Sequence, residues 1–443
     1  MKFLFNNFLK GDFMKLKHTQ IFSGMIKTLL VSVLMLLGAT LFADMRPIAQ
    51  GLYINGSTKF SNGRHIAYDS KGRLHAVFTQ KLSSNAGNPG VYAWSDDNGT
   101  TWTVGLSDLD QGTATDPAWG NFTPAISIGS DDSIHIAWYQ AYKTANNKAV
   151  FYSVSHDRGV SFAAPVPVTA AMTDSTYVWP SMTLDNKNRP YIAFSDPYGT
   201  KGIFVTMQDS SSRWLPGKKI SDQTTPKDTA GIEYNPSLGT NGCLFIFWDS
   251  ASSNGKVYLN RSENFGETWE GVSVPLSTGS GRVLWPSMTF DSHGNTYMSV
   301  TLNSGSVFKI WVIKRATDGT WSKPSIDNLF PPDKVKGYMR SSLTCDESDQ
   351  LNLFVEGTPE SRKNWNIWQT AASVNDLEHW EAPRRISDSK TGDNAYVSVP
   401  TIVKGINYIP VIWSHGDLSD SDTGHLSGEL PQNGIGIVMF SAF

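Results

Sequence analysis

The phrase Trp-Pro-Ser-Met occurs twice, opening at Trp179 and Trp285. Other chemically able residues stand at comparable points, each shortly before a polar turn: Arg64 with His65, Asn121 with Phe122, Glu233 with Tyr234 and Asn235, Tyr338 with Arg340, and Tyr396. A second set follows the turns: Tyr139, Asp196 with Tyr198, Asp249, Glu356, and His415 with Asp417. Together they supply aromatic rings, amides, carboxylates, two histidines and two arginines. Aromatic faces stack on the C–H surfaces of sugars, while carboxylates and amides bond sugar hydroxyls. This set suits carbohydrate better than an apolar ligand. Trp179 and Trp285 equally suit packing, because a repeated aromatic at an equivalent position is a common core device. His75 and His135 occupy matching points after the first two turns and read as structural.

The elements that must hold these residues repeat. One turn reads DSKGRLH from Asp69, GSDDSIH from Gly129, DNKNRPY from Asp185 and GTNGCLF from Gly239. It continues as DSHGNTY from Asp291, CDESDQL from Cys345 and VKGINYI from Val403. Each copy sits between two strand-like runs. A third run, a second polar turn ending in an aromatic, and a short fourth run complete each unit. Four strands per unit at a period of about 50–60 residues predict an all-β, seven-bladed β-propeller with four-stranded antiparallel blades. No sustained helical periodicity interrupts the pattern.

The second turn reads SDDNGTTW from Ser95, SHDRGVSF from Ser155 and SENFGETW from Ser262, with weaker copies ending at Trp214, Trp321 and Trp380. These copies resemble the Asp-box, or BNR, repeat of sialidase-like propellers, S-x-D-x-G-x-T-W. The resemblance spans essentially the whole chain after residue 43. It implies that the boxes staple the fold and face away from the site. Asp97 and Asp157 are therefore read as structural. It also implies a ligand site at the channel mouth, where the first strands begin and the second strands end.

Three activities fit that mouth. Exo-sialidases use an arginine triad, a Tyr–Glu pair and an Asp acid; GRHIAYDSKGRLHAVF keeps Arg64 but lacks the aromatic and proline of the family motif. Seven-bladed polysaccharide lyases of the ulvan-lyase type are similar in blade count and secretion. That comparison implies an arginine on a uronate carboxylate and a His or Tyr moving protons. Arg340, His65, His415, Tyr396 and Tyr139 are then the catalytic candidates. Arg64, Trp179, Glu233, Tyr234, Trp285, Asp249, Asp196 and Glu356 are the substrate-binding ones. The third activity is a lectin-like glycan-binding or adhesion propeller without catalysis. The expected partner is a glycan or polysaccharide, cleaved by hydrolysis or elimination or simply bound.

The last unit lacks a fourth strand before the chain stops at Phe443. RPIAQ from Arg46 resembles the other fourth strands, so residues 45–53 are expected to complete the last blade. Lys15, Lys17 and Lys27 precede an apolar run from Thr28 to Phe42 and then Ala43, the order of a secretory signal. Residues 1–43 are expected to be removed, with Met14 as an alternative start, leaving 44–443 as one secreted or periplasmic domain. The apolar run is short for a membrane span. A net charge of −3 gives no electrostatic case for nucleic acid. Cys243 and Cys345 fall two units apart and are expected to be buried thiols. Asp420 and Asp422 before Gly424, in the acidic loop 417–432, form part of a calcium-loop pattern without its closing Glu. No cofactor or metal is expected.

Overall fold

In the computed structural model of the chain, the described residues are 46–50, 58, 63–80, 88–111, 118–142, 148–170, 172, 176–196, 202–222, 230–249, 255–304, 307–322, 335–359, 365–387, 393–416 and 434–441. The expected signal segment 1–43, the loop 417–432, Tyr198 and Asp417 lie outside them. Among the described residues every regular element is a strand, and the strands form seven sheets.

Short alternating apolar runs between Asx-type turns make each sheet an antiparallel meander. The first sheet runs Ile66–Tyr68, Leu74–Thr79, Gly90–Ser95 and Thr103–Leu106. The next three repeat it, with first strands Ala118–Ile128, Val178–Leu184 and Ala230–Asn235. The fifth has three strands, Arg282–Phe290, Thr296–Ser304 and Val307–Arg315, followed by the isolated bridge between Arg315 and Trp321. The sixth adds the short parallel strand Ile402–Val403 beside Val335–Asp346. The expectation of seven four-stranded blades is therefore corrected: six sheets reach four strands, and the fifth stops at three among the described residues. Residues 323–334, which follow this bridge, lie outside the described residues.

The last sheet joins the two ends of the chain. Arg46–Gln50 pairs antiparallel with Gly434–Ser441, outside Tyr408–Gly416 and Asp393–Ser398. Burial runs between sheets rather than within them. Phe245 and Phe247 of the fourth sheet share a cluster with Phe290 and Met298 of the fifth. Ile48, Tyr408 and Ile412 of the last sheet share one with Ile66, Leu74 and Phe78 of the first. Each sheet thus buries one face on each neighbour, and the first covers the last. Cys243 and Cys345 are buried free thiols, and burial pushes the Cys243 thiol up to about 12.

Both kinds of turn are hydrogen-bonded from within. Oδ1 of Asp69 accepts the N–H groups of Lys71 and Arg73 at 3.0 Å each, and Asp185, Asp291 and Asp346 repeat the pattern. In the second turn, Ser95 Oγ donates to Asp97 at 2.8 Å and accepts the Gly99 N–H at 2.8 Å. Asp97 accepts the Thr101 N–H at 2.8 Å, and Trp102 Nε1 donates to the Gly99 carbonyl at 3.2 Å. Ser155–Asp157 and Ser262–Asn264 repeat this. The carboxylates of Asp97 and Asp157, each taking several N–H and O–H bonds, fall to about 2. His75 and His135 bond the hydroxyls of Tyr92 and Tyr152 at 2.8 and 2.7 Å and are buried, as expected of structural residues.

Candidate functional site

The Trp-Pro-Ser-Met phrase is a β-bulge. Register shifts interrupt five first strands, between Phe122 and Ala125, Val178 and Ser181, Leu284 and Ser287, Tyr338 and Ser341, and Ala395 and Ser398. Within the bulges Thr123, Trp179, Trp285 and Tyr396 take φ of 44°, 56°, 50° and 58°. Left-handed backbone is costly for side chains of this size, so the bulges aim those side chains at an energetic cost. Proline fits here because a bulge asks for no ladder N–H. The serine ties the sheets together: Ser181 accepts from Ile232 N–H at 3.2 Å, Ser287 from Leu343 at 3.1 Å and Ser398 from His65 at 3.1 Å. Met182 and Met288 are core. Only the tryptophans, half-buried, are left to face the end of the channel where the first strands begin.

In the sixth sheet the bulge brings an arginine to that end. Arg340 stands six residues before Asp346, as Trp179 stands before Asp185 and Trp285 before Asp291. Its guanidinium is sandwiched: Cζ lies 4.5 Å from the Trp285 ring centroid and 4.3 Å from that of Tyr396. Nη1 reaches Glu356 Oε1 at a loose 3.4 Å, and Nε has no hydrogen-bond partner among the described residues. The arginine side chain is 12% exposed and Glu356 is fully buried. Two rings thus hold a cation flat while part of its donor edge stays unspent. The site is built by three successive sheets, with Trp285 from the fifth, Arg340 and Glu356 from the sixth, and Tyr396 from the last.

The remaining residues divide by position. His415 is half-buried in the strand beside Tyr396, paired with Asn394, and burial holds its imidazole below the usual histidine value. Asp249 is buried and accepts the Trp285 N–H on Oδ2 at 2.7 Å. Asp196, at the matching end of the third sheet, is also fully buried. Trp179 is the half-buried bulge residue of that sheet. Tyr139 stacks on Phe122 with centroids 5.3 Å apart, and Lys148 Nζ lies 5.9 Å from its ring.

Four expected mouth residues are elsewhere. Arg64 is buried and donates from Nε to Glu233 at 2.9 Å. Its other nitrogens bond the carbonyls of Met288, Leu343 and Val399 and the hydroxyls of Ser287 and Ser342. Glu233 also accepts from Thr401 Oγ1 at 2.8 and 2.9 Å, and its complete burial raises its pKa. The pair spans sheets on opposite parts of the chain and acts as an internal pin. Tyr234 turns the other way, donating to the Asn241 carbonyl at 2.7 Å inside the turn. His65 is 1% exposed, so it is not at a ligand surface.

A cavity of about 410 Å³ opens at the turn end, floored by Arg64 and Glu233 and walled by Tyr68, Asp185, Asn188, Tyr234 and Thr401. Its polar walls are already committed. Tyr68 is bonded to Lys404, Asp185 to Lys187, Arg189 and Tyr191, Asn188 to Ser130, and Tyr234 to Asn241. The less committed polar chemistry lies at the Arg340 end. Sequence reasoning missed Thr401, Ser287 and Ser342, although Ser287 and Ser342 stand two residues after Trp285 and Arg340 as Ser181 stands after Trp179, a repeated spacing that could have found them.

No protein-family model matches the chain, and no curated protein matches it. Solved structures do. A polysaccharide lyase, PL25 ulvan lyase bound to -[GlcA(1-4)Rha3S]-, aligns at TM-score 0.59 and 9% identity, covering 90% of this chain and 96% of that one. The polysaccharide lyase Uly1 aligns at TM-score 0.53 and 10% identity, covering 88% and 92%. A protein of unknown function from Dyadobacter fermentans aligns at TM-score 0.50 and 12% identity, covering 90% and 100%. The shared feature is the propeller fold.

Proposed function

We propose that the chain is a secreted, carbohydrate-active propeller of the Asp-box superfamily that binds an acidic sugar through Arg340 and cleaves it by β-elimination. The observation that carries this reading is the Arg340 guanidinium, set between Trp285 and Tyr396 and bonded to Glu356 only at a loose 3.4 Å. A planar guanidinium held this way presents a fork that fits a carboxylate. The half-buried Trp285 beside it offers indole surface to a pyranose, while Tyr396, 3% exposed, backs the guanidinium from within. Support also comes from the fold shared with lyases, one of them bound to a glucuronate-containing chain.

In this reading Arg340 neutralises the uronate carboxylate, which makes the adjacent C5 proton more acidic. His415, kept neutral by burial, accepts that proton. The C4–O bond breaks, its electron pair leaves on the oxygen, and the oxygen takes a proton from water. A C4–C5 double bond remains. Asymmetry favours catalysis over a lectin: one bulge carries an arginine with a buried glutamate behind it, while two equivalent bulges carry tryptophan. An exo-sialidase fits less well, because Arg64 is spent on Glu233 and cannot open an arginine triad.

The test is the ultraviolet absorbance of the unsaturated uronate, followed over polysaccharides containing glucuronate, galacturonate or mannuronate. Wild type should generate it on at least one, starting with the -[GlcA(1-4)Rha3S]- chain. Arg340→Ala should lose about 100-fold or more of the rate while staying folded. Saturable binding without absorbance would leave a glycan-binding protein, and full activity in Arg340→Ala would overturn the site.

A further inference from the structure

We propose that Asp249 is a positioning residue for the Arg340 site, acting through the backbone of Trp285. This rests on the reading that Arg340 holds the sugar carboxylate. Asp249 ends the strand Cys243–Asp249 in the fourth sheet and is fully buried. Its Oδ2 takes the Trp285 N–H from the fifth sheet at 2.7 Å. Trp285 has φ of 50°, where an L side chain is seldom found. The ring that this conformation aims lies 4.5 Å from the Arg340 guanidinium. A carboxylate forms a strong, charge-assisted bond to a buried N–H. That bond offsets the strain of the bulge and fixes the direction of the indole.

Without the bond, the half-buried bulge N–H would lose its acceptor. The backbone would relax toward negative φ and swing the indole away from the arginine. Asp249 therefore sets the orientation of a cation two sheets away without touching the sugar. The residue read from sequence as a ligand for hydroxyls belongs behind the site.

The experiment is a double-mutant cycle measured in two ways, by affinity for an oligosaccharide of the -[GlcA(1-4)Rha3S]- repeat and by urea unfolding. Asp249→Ala should weaken binding about tenfold, and Asp249→Asn, which keeps an oxygen acceptor, should restore most of it. In a Trp285→Ala background Asp249→Ala should cost no further affinity. Additive loss, or unchanged affinity in Asp249→Ala, would overturn the inference. Should Asp249→Ala fail to fold, the Trp285→Gly background settles the matter, since glycine takes this φ unaided. There Asp249→Ala should cost no further affinity for the oligosaccharide, and a further loss contradicts the proposal. Arg340→Ala serves as the control. If it binds the oligosaccharide as tightly as wild type, the site reading falls and takes this inference with it. If it loses binding while the cycle is additive, only the role of Asp249 falls.

Discussion

Arg340 and Arg64 show how contact separates two residues that look alike in a sequence. Both precede polar turns. Arg64 meets a glutamate, three carbonyls and two hydroxyls, so its donors are consumed inside the channel. Arg340 meets two rings and one distant carboxylate oxygen. Histidines divide in the same way. Burial holds His135 at about 4 against an ordinary 6.5, while its ring bonds Tyr152. On acidification the unfolded chain takes up this proton first. Stability present above about pH 6.5 is therefore lost progressively toward pH 4. The loss is at most roughly 3 kcal/mol. Urea unfolding across this range should show the slope in wild type and a shallower one in His135→Gln; equal slopes would place the acid sensitivity elsewhere.

The polar turns and bulges determine what each strand can carry. In the second turn the serine is the hub. Ser95 is buried, donates to Asp97 and accepts from Gly99. Ser95→Ala should cost about 1–2 kcal/mol in urea unfolding, because it leaves a buried N–H unpaired. Asp97→Asn should cost much less, since Asn264 makes the same contacts in the third clear copy. An Asp97→Asn loss as large as that of Ser95→Ala would contradict this ranking. The turns were legible because their bonds need particular residues at fixed offsets. The bulges were not, because the extra residue is a matter of backbone register. Glu233 and Tyr234 were misplaced for a related reason. The fourth unit has a longer turn, with strands ending at Asn235 and resuming at Cys243. Counting back from Gly239 therefore landed in the strand's last residues instead of its first.

At the scale of the molecule, the ring closes through the pairing of Arg46–Gln50 with Gly434–Ser441 and the shared cluster of Ile48, Ile66 and Tyr408. Closure was legible because a sheet lacking an outer strand must find one. Deleting residues 46–50 should lower the melting temperature of the whole protein by several degrees or more; an unchanged melt would show that the strand only decorates the sheet. The convergence of Trp285, Arg340 and Tyr396 was legible only as a list of types, since contacts across sheets depend on how the bulges point. The account therefore stands on the charge held between those rings. Titration calorimetry should compare a -[GlcA(1-4)Rha3S]- oligosaccharide with its carboxyl-reduced counterpart, in wild type and in Arg340→Ala. Wild type should prefer the acid form by about tenfold or more, and Arg340→Ala should bind both forms alike. An acid preference that survives in folded Arg340→Ala would contradict this.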